Sequence, residues 1–84
     1  MDPLQLNRVY RHYKGGLYLT HALAEHAESG EQLVIYRHLK SGALYAQPLS
    51  IFTQVVWKSA GSASSRVAVP RFALLEPEDW PKVF

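Results

Sequence analysis

A small all-β domain is predicted, either an SH3-like barrel or a strongly curled sheet of about five strands, with one short helical turn near residues 48–52. Three observations carry that expectation. Short runs rich in aliphatic and aromatic residues recur at close intervals, among them Leu17-Tyr18-Leu19-Thr20 and Leu33-Val34-Ile35-Tyr36. Glycine- and serine-bearing segments punctuate them. The chain has 84 residues, 48% of them hydrophobic, which is enough for one core and too short for two. The second choice is a five-stranded sheet with one helix packed on it.

Residues 1–8 read as a lead-in, because Pro3 disfavours regular structure while Leu4 and Leu6 can pack down. Val9 to Lys14 is a short aromatic stretch, broken by Gly15-Gly16. A strand opens at Leu17. Residues 20–27 are ambiguous, since Ala, Leu and Glu favour helix locally. The turn chemistry of Glu28-Ser29-Gly30-Glu31 and the apolar run after it favour a hairpin instead. Its expected register sets Ala27 opposite Gln32 and His21 opposite His38. Lys40-Ser41-Gly42 is a second turn, and Ala43 to Gln47 a third strand that Pro48 ends, proline having no amide proton to donate. Pro48 to Phe52 fits one helical turn with Leu49 and Phe52 inward. Thr53 to Trp57 reads as a fourth strand, residues 59–66 as a flexible serine-rich loop, and Val67 to Leu75 as a fifth strand. The core is thus expected over 9–75, followed by a proline-punctuated tail over 76–84, all in one domain spanning 1–84.

Composition excludes several classes. With no cysteine there is no disulfide, thiol catalysis or cysteine zinc site. No apolar run nears the ~20 residues that span a bilayer. The first residues lack a signal-peptide pattern, so a cytoplasmic location is expected, with no membrane partner. No cofactor is expected. Neither is a metal: the four histidines, His12, His21, His26 and His38, offer at best one facing pair, whereas zinc needs three or four ligands.

Net charge is only +2, but its distribution is uneven. Arg8, Arg11 and Lys14 cluster early, and Arg37, Lys40, Lys58, Arg66 and Arg71 follow with no acid between them. Glu25, Glu28 and Glu31 form one acidic stretch, and Glu76, Glu78 and Asp79 another. Two basic sets meeting on one face would raise the local potential.

The run Tyr10-Arg11-His12-Tyr13-Lys14-Gly15-Gly16-Leu17-Tyr18 resembles the opening signature, Y-x-H-Y-K-G-G-x-Y, of the bacterial domain-of-unknown-function family 1653. Ala24 to Glu31 is similar to that family's A-x-H-S-E-T-x-E turn, Val34-Ile35-Tyr36 to its V-V-Y strand, Leu44 to Phe52 to its L-W-V-R-P-L-x-M-F, and Pro70-Arg71-Phe72 to its P-R-F. The resemblance runs from about residue 9 to 75. Tyr45 stands for the family's Trp, Gln47 for its Arg and Ile51 for its Met, and the loop before Pro70 is longer. Gln47 thereby removes a cation. The resemblance implies a small bacterial cytoplasmic domain and no assigned activity.

Tyrosines offer stacking faces, and arginine and lysine offer phosphate-type contacts, as in small barrels that bind single strands. The expected function is therefore a non-catalytic binding module for an anionic ligand, whether nucleotide, nucleic acid or peptide carboxylate. Its expected binding residues are Tyr10, Arg11, His12, Lys14, Tyr36, Arg37 and Arg71. Against this stands ordinary packing, since aromatic residues of small domains mostly build the core. A structural or protein-interaction domain, homodimeric through an exposed strand or the Trp57 region, is the alternative. An enzyme using His12 or His26 is least favoured, because no nucleophile elbow, paired-carboxylate motif or metal motif is present. Gly15-Gly16 after a lysine lacks Walker spacing and reads as a backbone turn.

Overall fold

The structure, a computed structural model, describes residues 4–59 and 66–80. Strands β1 (Val9–His12), β2 (Leu17–Glu25), β3 (Gln32–His38) and β4 (Leu44–Pro48) lead into α1 (Leu49–Phe52), then β5 (Val55–Ser59), β6 (Arg66–Pro70), β7 (Phe72–Leu74) and a 3-10 turn over Pro77–Asp79. Five strands form an antiparallel sheet in the order β4-β3-β2-β1-β7, and β5 and β6 form a separate two-stranded ribbon. The mostly-β expectation holds, as does the short helical turn, with Pro48 closing β4 and opening α1.

The sheet does not close into a barrel. The expected fifth strand is two strands in different sheets, with β6 pairing β5 and β7 pairing β1. Arg71 is the joint between them. Its N–H donates to the Gln54 carbonyl (2.8 Å) and its carbonyl accepts from Tyr13 (2.9 Å), so the chain turns away from the ribbon and enters the main sheet. Pro70 cannot continue a ladder through its missing N–H, which favours the break at this point. Ser59 and Arg66, taken at sequence level as ends of the flexible loop, are paired across the ribbon. The rest of that loop, 60–65, lies outside the described residues, as do 1–3 of the lead-in and 81–84 of the tail.

The aromatic stretch at residues 9–12 is an interior strand, flanked by β2 and β7. This placement fixes the core. Cross-strand partners share a face, so Tyr10 opposite Tyr18 and Leu74, Thr20 opposite Tyr36, and Tyr36 opposite Tyr45 line one side. The α1 turn lies against that side. Phe52 is 1% exposed, its ring stacked on Phe72 at 4.1 Å and edge-on to Tyr10 and Tyr36 at 5.3 and 5.4 Å. Thr20 is the buried polar residue of the layer. Its hydroxyl donates to the Gln5 carbonyl (2.8 Å) and accepts from Arg8 N–H (3.3 Å), tying the lead-in to the sheet.

The β2–β3 hairpin exists, but its register differs from expectation. Glu25 faces Gln32 and Tyr18 faces His38, with a bulge at His21. The turn sits one residue earlier than expected, because His26 N–H donates to the Glu31 carbonyl and leaves residues 27–30 as the connection. His21 and His38 are therefore not paired.

A shared device closes all three hairpin turns of the main sheet. Each begins at a histidine whose Nδ1 accepts a backbone N–H from the turn: Lys14 for His12 (3.1 Å), Glu28 and Ser29 for His26 (3.2 and 3.3 Å), and Ser41 for His38 (3.1 Å). The carbonyl of the same histidine accepts from a glycine N–H: Gly15, Gly30 and Gly42 at 2.8, 2.9 and 2.8 Å. Imidazole replaces the side-chain oxygen that usually performs this role in turns. His12, His26 and His38 are thus turn-capping residues, and among the described residues no cluster of three His, Asp or Glu is arranged to hold a metal.

Candidate functional site

An open cleft of about 620 Å³ lies between the β1–β2 turn and the ribbon. Arg11, His12, Tyr13, Lys14 and Gly15 line one side, and Trp57, Lys58 and Ser59 the other. Among the described residues, three cations border it and no carboxylate does. Two further guanidiniums sit over its aromatic rings, Arg71 over Tyr13 and Arg66 over Trp57, each 5.9 Å from the ring centroid. Among the described residues, none of these five cations forms an ion pair. The pair that is present joins Arg8 to Glu76 at 3.9 Å, outside the cleft.

The fold keeps the first acidic stretch away. Glu25 ends β2 and Glu28 and Glu31 follow in the far turn, whereas the cleft lies beyond the first residue of the same strand. Nine residues at ~3.3 Å each put roughly 25 Å between the two ends, well beyond a Debye length of ~8 Å at physiological salt.

Local geometry shapes the turn that forms the near wall. Gly16 has φ +89°, and a Cβ there would meet the Tyr18 ring at 3.3 Å and His38 Nε2 at 3.5 Å. Only glycine meets both demands at low cost. Tyr18 then connects the core to the surface, its ring edge-on to His38 (4.9 Å), Tyr36 (5.4 Å), Phe72 (5.5 Å) and His12 (6.3 Å). His12 is held against Phe72 and Tyr13, with ring centroids 4.9 and 4.8 Å away. Burial pushes its pKa below the ordinary 6.5, and the charges of Arg71 and Lys14 push it the same way.

The residues expected to bind a ligand divide into two groups. Arg11, His12 and Lys14 line the cleft, and Arg71 flanks it through Tyr13. Arg71 is also held by Gln54, whose Oε1 accepts from its Nη2 at 2.7 Å. Tyr10 and Tyr36 lie elsewhere, at 6% and 7% exposure in the core. Tyr10 Oη accepts from Gln5 N–H, and Tyr36 Oη donates to Gln47 Oε1. Burial also holds the Tyr36 hydroxyl above its usual pKa of 10.0, with Tyr18 and Tyr45 adding to the shift and Arg71 opposing it. Arg37 faces Leu19 and Leu44 across β3, on the side opposite the aromatic layer. Tyr13, Trp57 and Lys58 belong to the cleft and were not singled out as binding residues from the sequence. The acid-free span from Arg37 to Arg71 contained the signal for Lys58, but nothing local said that the ribbon would lie beside the first turn.

An antiparallel sheet plugged by one helical turn, with a side ribbon, defines a class of small β-sheet domain. Comparison places the chain within it more narrowly. The family model described as "Protein of unknown function (DUF1653)" matches residues 8–74, and the chain belongs to that family. It is similar to a DUF1653 protein from Bordetella bronchiseptica, known from a crystal structure, at 32% identity and TM-score 0.65 over 84% of this chain and 87% of that one. No match was found among curated proteins. Among the described residues no helix is long and apolar enough to cross a membrane.

Proposed function

We propose that this domain is a non-catalytic binding module whose anionic ligand sits in the cleft between the β1–β2 turn and the ribbon. The observation that carries the reading is Arg11, Lys14 and Lys58 around one cavity that, among the described residues, no carboxylate lines. Surface cations normally find acids or disperse, and a shared cavity of one sign focuses the field on an incoming anion. Aromatic rings beneath and beside the cations give the site rigid walls, and charge-assisted hydrogen bonds supply the attraction. His12 contributes shape in its neutral form, with Nδ1 committed to the turn. Tyr10, Tyr36 and Arg37 take no direct part.

Binding of a labelled short polyphosphate, followed by anisotropy, tests the reading. Affinity should fall steeply as salt rises, and Arg11→Ala, Lys14→Ala and Lys58→Ala should each weaken binding and flatten the salt dependence. Salt-independent binding, or indifference to all three variants, would overturn it.

A second reading has its own observation. Leu44, Val55, Trp57 and Val67 are exposed apolar residues on β4 and the ribbon, which suits a protein-interaction domain or homodimer. A strictly monomeric mass across concentration would remove the homodimer.

A further inference from the structure

Among the features of this surface, the far wall of the cleft asks for more than a charge. Trp57 is 60% exposed, and its ring is the large aromatic surface of that wall. Tyr13, the ring on the near wall, is already attended by Lys14 Nζ at 5.6 Å, by the Arg71 guanidinium at 5.9 Å and by the His12 ring at 4.8 Å. Trp57 carries Arg66, and more than half of it is exposed. Ala68 is its cross-strand partner, too small to cover an indole. Lys58, the next residue along β5, and Lys14 and Arg11 across the gap complete the lining.

We infer that the cleft takes a nucleotide unit with an unpaired base, the base stacking on Trp57 and the phosphate held by Arg11, Lys14 and Lys58. The inference rests on the anion-binding reading above and deepens it by naming the ligand class. A simple inorganic anion uses the cations and leaves the indole idle. An acidic peptide supplies carboxylates but no obligatory planar partner. A nucleotide supplies a phosphate and a π-face within one unit, and stacking tolerates any base. Duplex nucleic acid hides its base faces in its own stack, so an accessible indole selects an unpaired base. The unit can arrive free or within a single strand.

The test compares four probes by competition against one labelled oligothymidylate: unlabelled oligothymidylate, thymidine monophosphate, short polyphosphate and polyglutamate. Both thymidine probes should compete, and Trp57→Ala should weaken them about 5- to 150-fold, the usual range for losing one stacked base. Trp57→Phe should restore most of the loss, and Trp57→Ala should weaken polyphosphate far less than it weakens the thymidine probes. An oligomer competing far better than the monophosphate identifies a strand as the source, and equal competition per mole identifies the free nucleotide. Ring-free polyanions that compete as well as the oligomer, with Trp57→Ala changing nothing, would overturn the nucleotide inference and leave the anion reading standing. Failure of every probe to bind would overturn both. Trp57 is largely exposed, so Trp57→Ala should keep its fold, and an unchanged circular dichroism melt is the control.

Discussion

Replacing Phe52 by alanine tests the account of the core most directly. The side chain is almost fully enclosed between the α1 turn and the sheet, with Phe72, Tyr10 and Tyr36 against it. Truncating such a ring removes its transfer free energy and leaves a cavity, about 3–5 kcal/mol together. Marginal stability of ~0.05–0.15 kcal/mol per residue gives roughly 4–13 kcal/mol for a chain of 84 residues. The substitution therefore removes roughly a quarter or more of the total. For a domain of this size each kcal/mol shifts Tm by about 4–8 °C, so a fall of roughly 12–40 °C is expected. Urea unfolding followed by far-ultraviolet circular dichroism reads the free energy, and Phe52→Leu should lose much less. A cost below about 1.5 kcal/mol for Phe52→Ala, within the range of a tolerated core swap, would mean that the α1 turn does not plug the sheet as described.

Two further outcomes follow from the same geometry. His12 has a lowered pKa, caused first by burial and then by Arg71 and Lys14, so its contribution to stability is complete above 6.5 and is lost as pH falls through the folded value. Urea midpoints should drop more between about pH 7.5 and 5.5 for wild type than for His12→Gln, and parallel pH curves would refute that assignment. Thr20→Val preserves shape but leaves the Gln5 carbonyl and Arg8 N–H without their partner, at a cost of about 1–3 kcal/mol for each group left buried and unpaired. A Thr20→Val protein as stable as wild type would show that water reaches both groups.

Strand content, the turns and the helical turn at Pro48 were legible because each rests on neighbours in sequence. Apolar runs, a proline without an amide proton and glycine-bearing turns act over a few residues. The histidine caps were present in the same local text, at positions 12, 26 and 38, but their turn role was not legible because it depends on where Nδ1 points. The hairpin register at residues 20–27 missed for a related reason. A bulge at His21 and a turn displaced by one residue each shift the pairing, and nothing in local propensity prices a bulge.

Arg11, His12, Lys14 and Arg71 were identifiable as a cationic and aromatic group from sequence because three of them lie within four residues and the fourth falls in a run without acids. Tyr10 and Tyr36 could not be separated from them by composition. Their burial follows from β1 lying between β2 and β7, a long-range choice. Trp57 and Lys58 reach the cleft because the chain breaks at Arg71, so that the ribbon stands beside the first turn instead of closing a barrel. Sequence alone therefore determined that this chain makes short antiparallel strands, that its charges are segregated and that it carries no cysteine chemistry. Tertiary structure alone decided which tyrosines became core and which cations share a cavity. Local steric and hydrogen-bonding preferences act between neighbours, whereas a site is made by segments dozens of residues apart that meet only when the sheet has chosen its order.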